Sequence, residues 1–379
     1  MQSLNLDSPL EVACAWSAIV EPGDEAAAQL RETMGSAPAL EWLLSKPDPA
    51  TLPADLTHDL QGRPRPWIKA LKRWMPRVAD LDVHRDLAEL EALDGVVLYP
   101  EHPQWPKKLD DLGLQAPAAL WVRGDLQDLP RVAIVGARAS SNTGNSIARD
   151  LAFNLARKGI SIVSGGAFGI DTAAHKGAMS EGHTVAVMAG GVANLYPMSN
   201  EPMFQKILEN GAIVSEVPPA WRPARWRFLG RNRLIAALAD ASVVVEASSR
   251  SGALTTIRHA RELNRPVGAF PGSVNSHLSS GCHQVIRDGV TLVTSTEDVL
   301  ELISDIGDAL FDIPAKDDPD AMPINLRRVY DAMPAKLSAT AQSIARVGGI
   351  SVEEVETALA TLILKGYVAF EAGEFKRVR

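Results

Sequence analysis

Two glycine-rich turns and one arginine-rich stretch hold the residues best suited to chemistry. Residues 164–175 read Ser-Gly-Gly-Ala-Phe-Gly-Ile-Asp-Thr-Ala-Ala-His, between the β-branched run 160–163 and a small-residue helical pattern through Ala178. Glycines placed between a strand and a helix let backbone N–H groups approach a ligand, and the positive helix end favours an anion. The spacing fits neither GxGxxG nor GxxxxGK[ST], which argues against an ordinary dinucleotide or Walker site. A tight turn that only packs helix on strand is the alternative. Upstream, Val132–Val135 is wholly apolar and reads as a buried parallel strand. It ends in Gly136-Ala137-Arg138, and ligands of open α/β sheets gather at the carboxyl ends of strands. A guanidinium there can fork onto a phosphate or carboxylate, or else serve a surface ion pair.

The third stretch carries Arg222, Arg225, Arg227, Arg231 and Arg233, interleaved with Trp221, Trp226 and Phe228. No acid occurs between Glu216 and Asp240. Arginines for phosphates and flat rings for bases are the composition of a single-strand nucleic-acid site. Asn232 reads as the cap of a helix starting near Arg233, with base-edge contact as its alternative. Asp171 reads as a helix-start residue, His175 as a packed, hydrogen-bonded one, and Glu246 as the partner of an arginine in the 225–233 stretch. No catalytic constellation or metal-ligand spacing stands out. Cys14 and Cys282 are isolated, so neither a disulfide framework nor a zinc site is expected.

Taken in order, VAIVGAR at 132–138, the SGGAFGIDTAAH segment, the Gly191…Tyr196-Pro197…Asn200 loop and IVSE at 213–216 form a pattern. FLGRNRLIA at 228–236, VVVEA at 243–247, SGALTT at 251–256 and Pro271-Gly272-Ser273 continue it. The chain resembles the bacterial DNA-processing protein A family (DprA, also called Smf), strongly over residues 95–300. The resemblance implies a Rossmann-like, non-enzymatic domain that needs no cofactor, binds single-stranded DNA and forms a homodimer. It also implies loading of the recombinase RecA and protection of incoming strands in natural transformation. The expected DNA-binding residues are Gly136, Arg138, Ser164, Gly165, Gly166, Arg225, Arg227, Phe228, Arg231, Asn232, Arg233, Ser251, Gly252 and Thr255. Ala137 stands where the family usually has Ser, which removes a hydroxyl from that turn. The runner-up is a nucleotide-processing enzyme resembling the LOG-type phosphoribohydrolases. Their acid after the late Gly-x-Gly-Thr stretch is replaced here by Ile257-Arg258, which argues for binding over hydrolysis.

These residues must be positioned by an α/β fold. Strands read at 132–135, 160–164, 184–188, 212–215, 242–246, 267–270 and 290–293, with helical patterns between them, the signature of a doubly wound parallel sheet. Residues 95–304 make this Rossmann-like domain, which opens with an extended lead-in from Leu98 to Asp125. Residues 1–85 read as short helices split at Gly23 and Gly35, a SAM or helix-hairpin-helix-like domain. Within it, residues 67–74 are basic and aromatic, their tryptophans expected in the core. An acidic linker covers 305–322. Residues 323–379 read as a winged helix whose third helix carries Glu353, Glu354 and Glu356, which favours a partner-binding role over DNA reading. The 379 residues carry a net charge of −8, so DNA affinity has to come from local positive charge. No apolar run is long enough to span a bilayer and no signal-peptide pattern opens the chain, so a cytoplasmic, membrane-free protein is expected.

Overall fold

The computed structural model describes residues 4–45, 47–57, 66–304, 323–334, 337–371 and 373–378. The expected acidic linker, 305–322, lies outside the described residues. The chain forms two compact units, Met1–Asp308 and Ala309–Arg379.

The first unit opens with six helices: α1 (Pro9–Ile19), α2 (Glu25–Met34), α3 (Ser36–Leu44), α4 (Ala54–Thr57), α5 (Trp67–Ala79) and α6 (Val83–Glu91). Their starts are set by caps: the Ser8 hydroxyl accepts from Glu11 N ahead of Pro9, and the Asp24 carboxylate accepts from Ala27 N. Trp67, Ala70 and Trp74 recur at helical spacing on the inner face of α5, so its tryptophans are core residues as expected.

A nine-stranded sheet follows, with strands β1 (Gly95–Leu98), β2 (Leu120–Gly124), β3 (Arg131–Val135), β4 (Ser161–Ser164), β5 (Thr184–Val187), β6 (Ala212–Ser215), β7 (Ala241–Val244), β8 (Val267–Ala269) and β9 (Thr291–Leu292). Its order is β1-β2-β6-β5-β4-β3-β7-β8-β9. All pairings from β6 to β9 are parallel, while β1 and β2 add antiparallel at the β6 edge. The lead-in therefore contains two strands that the sequence reading left as extended chain. The intervening helices are α7 (Asn142–Arg157), α8 (Ile170–Ala178), α9 (Glu201–Ile207), α10 (Arg225–Leu238), α11 (Ala253–Glu262), α12 (Ser280–Arg287) and α13 (Thr296–Ile303).

Period-two alternation sends successive residues of β3 to opposite layers. Val132 and Ile134 pack with Ala148, Leu151 and Ala174 of α7 and α8, while Ala133 and Val135 pack with Leu234, Ile235 and Ile257 of α10 and α11. Under β2, β5 and β6 the N-terminal helices take over the first layer: Trp121, Ala186, Met188, Phe204 and Ile213 share one core with Trp16, Leu40 and Trp74. Glu21, just after α1, fastens these helices to α10. It accepts from Arg227 Nε and Nη2 (both 2.9 Å), from Trp226 Nε1 (3.1 Å) and from Arg77 of α5. Trp221 is flanked by the guanidiniums of Arg77 and Arg227, 4.7 and 4.5 Å from its ring centroid.

The second unit holds α14 (Ile324–Ala332), α15 (Ala341–Gly348) and α16 (Val352–Leu364), then the hairpin β10 (Val368–Glu371) and β11 (Glu374–Arg377). Ser351 and Glu354 form a capping box at the start of α16, and Gly349 ends α15 in the left-handed region.

The glycines after β4 close the interior. A Cβ on Gly165 would lie 2.3 Å from Arg231 Nη1, and one on Gly166 would lie 2.6 Å from the ring of Phe204, which is fully buried. Gly166 also has φ +67. Their expected role, clearing space for a ligand, is thus corrected: that space is filled by side chains of the protein itself. Gly166→Ala should lower stability by about 2 kcal/mol or more, from left-handed strain and overpacking. Gly252→Ala, where a Cβ meets nothing within 4 Å, should melt like the parent. Thermal melts of the two variants check the contrast; equal melting would show that Phe204 yields.

The Glu21 clamp predicts an acid dependence. Although burial raises its pKa, hydrogen bonds from Arg227, Arg77 and Trp226 outweigh this and hold the carboxyl at about 2, below the ordinary 4.5. A depressed carboxyl stabilises the fold fully above its unfolded value and loses that contribution as pH falls through its folded value. Parent stability should therefore decline more steeply between pH 4.5 and 2 than that of Glu21→Gln. Parallel slopes in denaturant titrations across that range would contradict the clamp.

Candidate nucleic-acid interface

Strand order reverses between β3 and β7: from β3 the sheet grows through β4, β5 and β6 on one side and through β7, β8 and β9 on the other. Neighbouring crossovers diverge there, leaving a crevice at the carboxyl ends of the strands. A cleft of about 340 Å³ occupies that point, lined by Gly136, Arg138, Phe228, Asn232, Ser251 and Gly252 among others. Ser251 and Gly252 reach it because Gly252 is the N-cap of α11, with no side chain over the helix end.

At its mouth Arg138 is exposed and stands 5.1 Å from the ring centroid of Phe228. Phe228 in turn meets Tyr196 edge-on, ring centroids 5.7 Å apart. Among the described residues Arg138 has no ion-pair partner, so the surface ion-pair alternative finds no support. Phe228 is half-buried and Tyr196 is 46% exposed, with Phe168 at 48% beside them. A cation over one ring and open faces on two others make a surface suited to phosphate and base together. Tyr196, absent from the expected DNA-binding residues, is brought into this cluster by the fold. Its signal lay in the Tyr196-Pro197 loop, an aromatic on the chain that leaves β5 at the carboxyl edge of the sheet.

Several expected contact residues face inward instead. Arg231 is 5% exposed and donates from Nη1 to Gly165 O (2.9 Å) and to Val187 O. Arg233 is 2% exposed and forms a two-pronged ion pair with Glu216 at 2.6 and 2.7 Å. Arg227 is spent on Glu21. Ser164 is fully buried and its hydroxyl donates to Ile134 O at 2.6 Å. Thr255 is half-buried and does not line the cleft, where its neighbour Thr256 does. Of the arginine stretch, Arg222 and Arg225 remain exposed. Asn232 is no cap: α10 begins at Arg225, two turns earlier than expected, and Asn232 Nδ2 donates to Gly252 O at 3.1 Å, tying α10 to the start of α11.

The carboxylates of the cleft are held by internal donors. Glu246 does not pair with an arginine; it accepts from Ser141 N (2.9 Å) and Ser141 Oγ (2.6 Å), completing the cap of α7. Asp171 occupies the turn expected to cradle a phosphate, accepting from Ala167 N at 3.3 Å. Burial pushes its pKa up, opposed by the charge of Arg231 and by donors of the turn. Burial lowers Arg231 to about 10 and, with Arg231 as neighbour, lowers His175 to about 3. His175 is a neutral, packed residue whose Nδ1 meets Thr184 Oγ1 at 2.8 Å. Thr184 donates onward to Ile162 O, so the His175 nitrogen is the donor. Among the described residues no group of three His, Cys, Asp or Glu side chains could hold a metal ion, and no helix is long and apolar enough to cross a membrane. Cys14 and Cys282 are both buried and in no disulfide, and Cys282 Sγ donates to Val245 O at 3.7 Å.

Comparison with known proteins places this geometry. The profile of the family described as DNA recombination-mediator protein A matches residues 96–304. The DNA processing protein DprA of Mycobacterium tuberculosis is 40% identical over 324 residues, 81% of this chain and 82% of that protein. The crystal structure of DNA processing protein A from Streptococcus pneumoniae superposes with a TM-score of 0.61 at 30% identity, covering 78% of this chain and 97% of that one. DNA processing protein A from Helicobacter pylori, solved for its single-stranded DNA binding mode, does so with 0.50 at 30% identity, over 55% and 94%. Matched over more than half its length by the family profile and along most of its length by such relatives, the chain belongs to the DNA recombination-mediator protein A family.

Proposed function

We propose that the protein is a recombination mediator that binds single-stranded DNA at the mouth of the β3/β7 crevice. The observation that carries this reading is the Arg138–Phe228–Tyr196 cluster, an unpaired guanidinium over an aromatic platform at the switch point of the sheet. A phosphate on Arg138 fixes the strand, and unstacked bases lie on the open faces of Phe228, Tyr196 and Phe168. Duplex bases, paired and stacked, cannot offer those faces, so the platform selects single strands. Arg225 supplies a second exposed cation one helical turn before Phe228. The H. pylori relative's single-strand binding supports the ligand class.

The rest of the role is supported by family membership: action as a cytoplasmic, non-enzymatic homodimer that protects incoming strands and delivers them to RecA. The C-terminal unit, three helices and a hairpin, supports a winged-helix reading. Glu353 and Glu356, exposed on α16, support docking of a protein partner there.

Arg138→Ala should weaken binding to all single-stranded sequences alike and reduce the log–log salt slope by about 0.7, one phosphate contact. Salt-dependent titrations read this, and an unchanged slope would remove Arg138 from the site. Phe228→Ala should cost about 1–3 kcal/mol of affinity with the slope intact, since stacking is largely non-ionic. Melts run beside the titrations separate this from a packing role: lost stability with full affinity in the folded fraction would place Phe228 in the core.

A further inference from the structure

We propose that the single strand does not end at the crevice but runs across the start of α10 and along α5, so that the N-terminal helices are part of the DNA-binding surface. The inference rests on the reading of the crevice as a single-strand site. Helix α5 buries Trp67, Ala70 and Trp74 and turns Lys69, Lys72 and Arg73 outward. Lys69, Arg73 and Arg77 recur every fourth residue, which sets three cations in a row about one turn, 5.4 Å, apart. That spacing is on the scale of neighbouring phosphates in an extended strand. The row ends at the start of α10: Arg77 and Arg227 both lie against the Trp221 ring, and Glu21 bonds both arginines. Trp226, 63% exposed, stands at this junction on α10, its Nε1 donating to Glu21.

Two acids each hold an arginine of the row, so the unpaired charge of α5 lies on Lys69 and Lys72. Glu21 is held by Arg77 and Arg227, and Asp24 by Arg73 (2.9 Å) and Trp74 Nε1 (3.0 Å). Lys69 and Lys72 have no ion-pair partner among the described residues, so their charge is available to a ligand. Ile68, 64% exposed, and Met75, 37% exposed, flank Lys72 with apolar surface for bases. In a chain of net charge −8, exposed lysines and apolar side chains on a helix fastened to α10 suit a polyanion that carries rings.

The test uses the full chain and two thymidine oligonucleotides, one of about six nucleotides, enough for the crevice alone, and one of about twenty. Lys69→Ala and Lys72→Ala are made together, since alanine keeps the helix and neither lysine holds a described contact. The double variant should bind the short strand as the parent does. It should bind the long strand about three- to tenfold more weakly, with a salt slope lower by about 1.4, two phosphates' worth. Parent affinity and slope on the long strand would overturn the proposal and leave the row to an anionic protein. Arg138→Ala, run in parallel, reads the crevice separately by its loss on the short strand. Absence of that loss would overturn the crevice reading, and the continuous track with it.

Discussion

Arg231 is a cation held inside the protein by carbonyl oxygens, and the arrangement of the site follows from it. Its guanidinium bonds Gly165 O at the end of β4 and Val187 O at the end of β5, with the charge of Asp171 nearby. One side chain thus joins two adjacent strand ends, the first turn of α8 and the middle of α10. Gly165 must be glycine because the guanidinium fills the space of its Cβ. With Arg231 pinned below, Phe228, one turn earlier on α10, is brought to the crevice mouth beside Arg138. Losing these carbonyls would leave a buried charge uncompensated, so the network holds α10 in register with the strand ends.

The other inward arginines extend the same logic. Arg233 and Glu216 fix α10 to the chain that follows β6, and Arg227 and Glu21 fix it to the N-terminal helices. A helix whose residues 231–238 are all buried cannot shift without breaking these contacts. The N-terminal helices therefore stabilise the site at a distance, covering the face of β2, β5 and β6 and clamping the start of α10. Local charge is resolved in the same way: Glu216 and Glu21 are taken up by Arg233 and Arg227, Glu246 by Ser141, while Arg138, Arg222 and Arg225 stay exposed despite the overall negative balance.

The parallel strands and their switch-point crevice were legible because a buried parallel strand is written as a continuous β-branched run. Arg138 was legible because it directly follows such a run. Arg231 and Arg233 were not, because sequence gives a side chain's charge and not its direction. Their partners, Gly165, Val187 and Glu216, are brought near only by the fold. The start of α10 was obscured by Pro223, Gly230 and a polar first half without an apolar stripe. β1 and β2 escaped because short strands that add antiparallel to a parallel sheet gain their character from pairing, not from local pattern. Tyr196 lies in a loop with no period to flag it.

The central claim is that a single strand rests on the Arg138–Phe228–Tyr196 platform. Photocrosslinking of a halogenated-uracil oligonucleotide to the full chain, followed by peptide mapping, tests it most directly. The account predicts crosslinks at Phe228 or Tyr196 that fade when unmodified single strand is added in excess and persist against duplex. Crosslinks confined to the C-terminal unit, or competed equally by duplex, would contradict it.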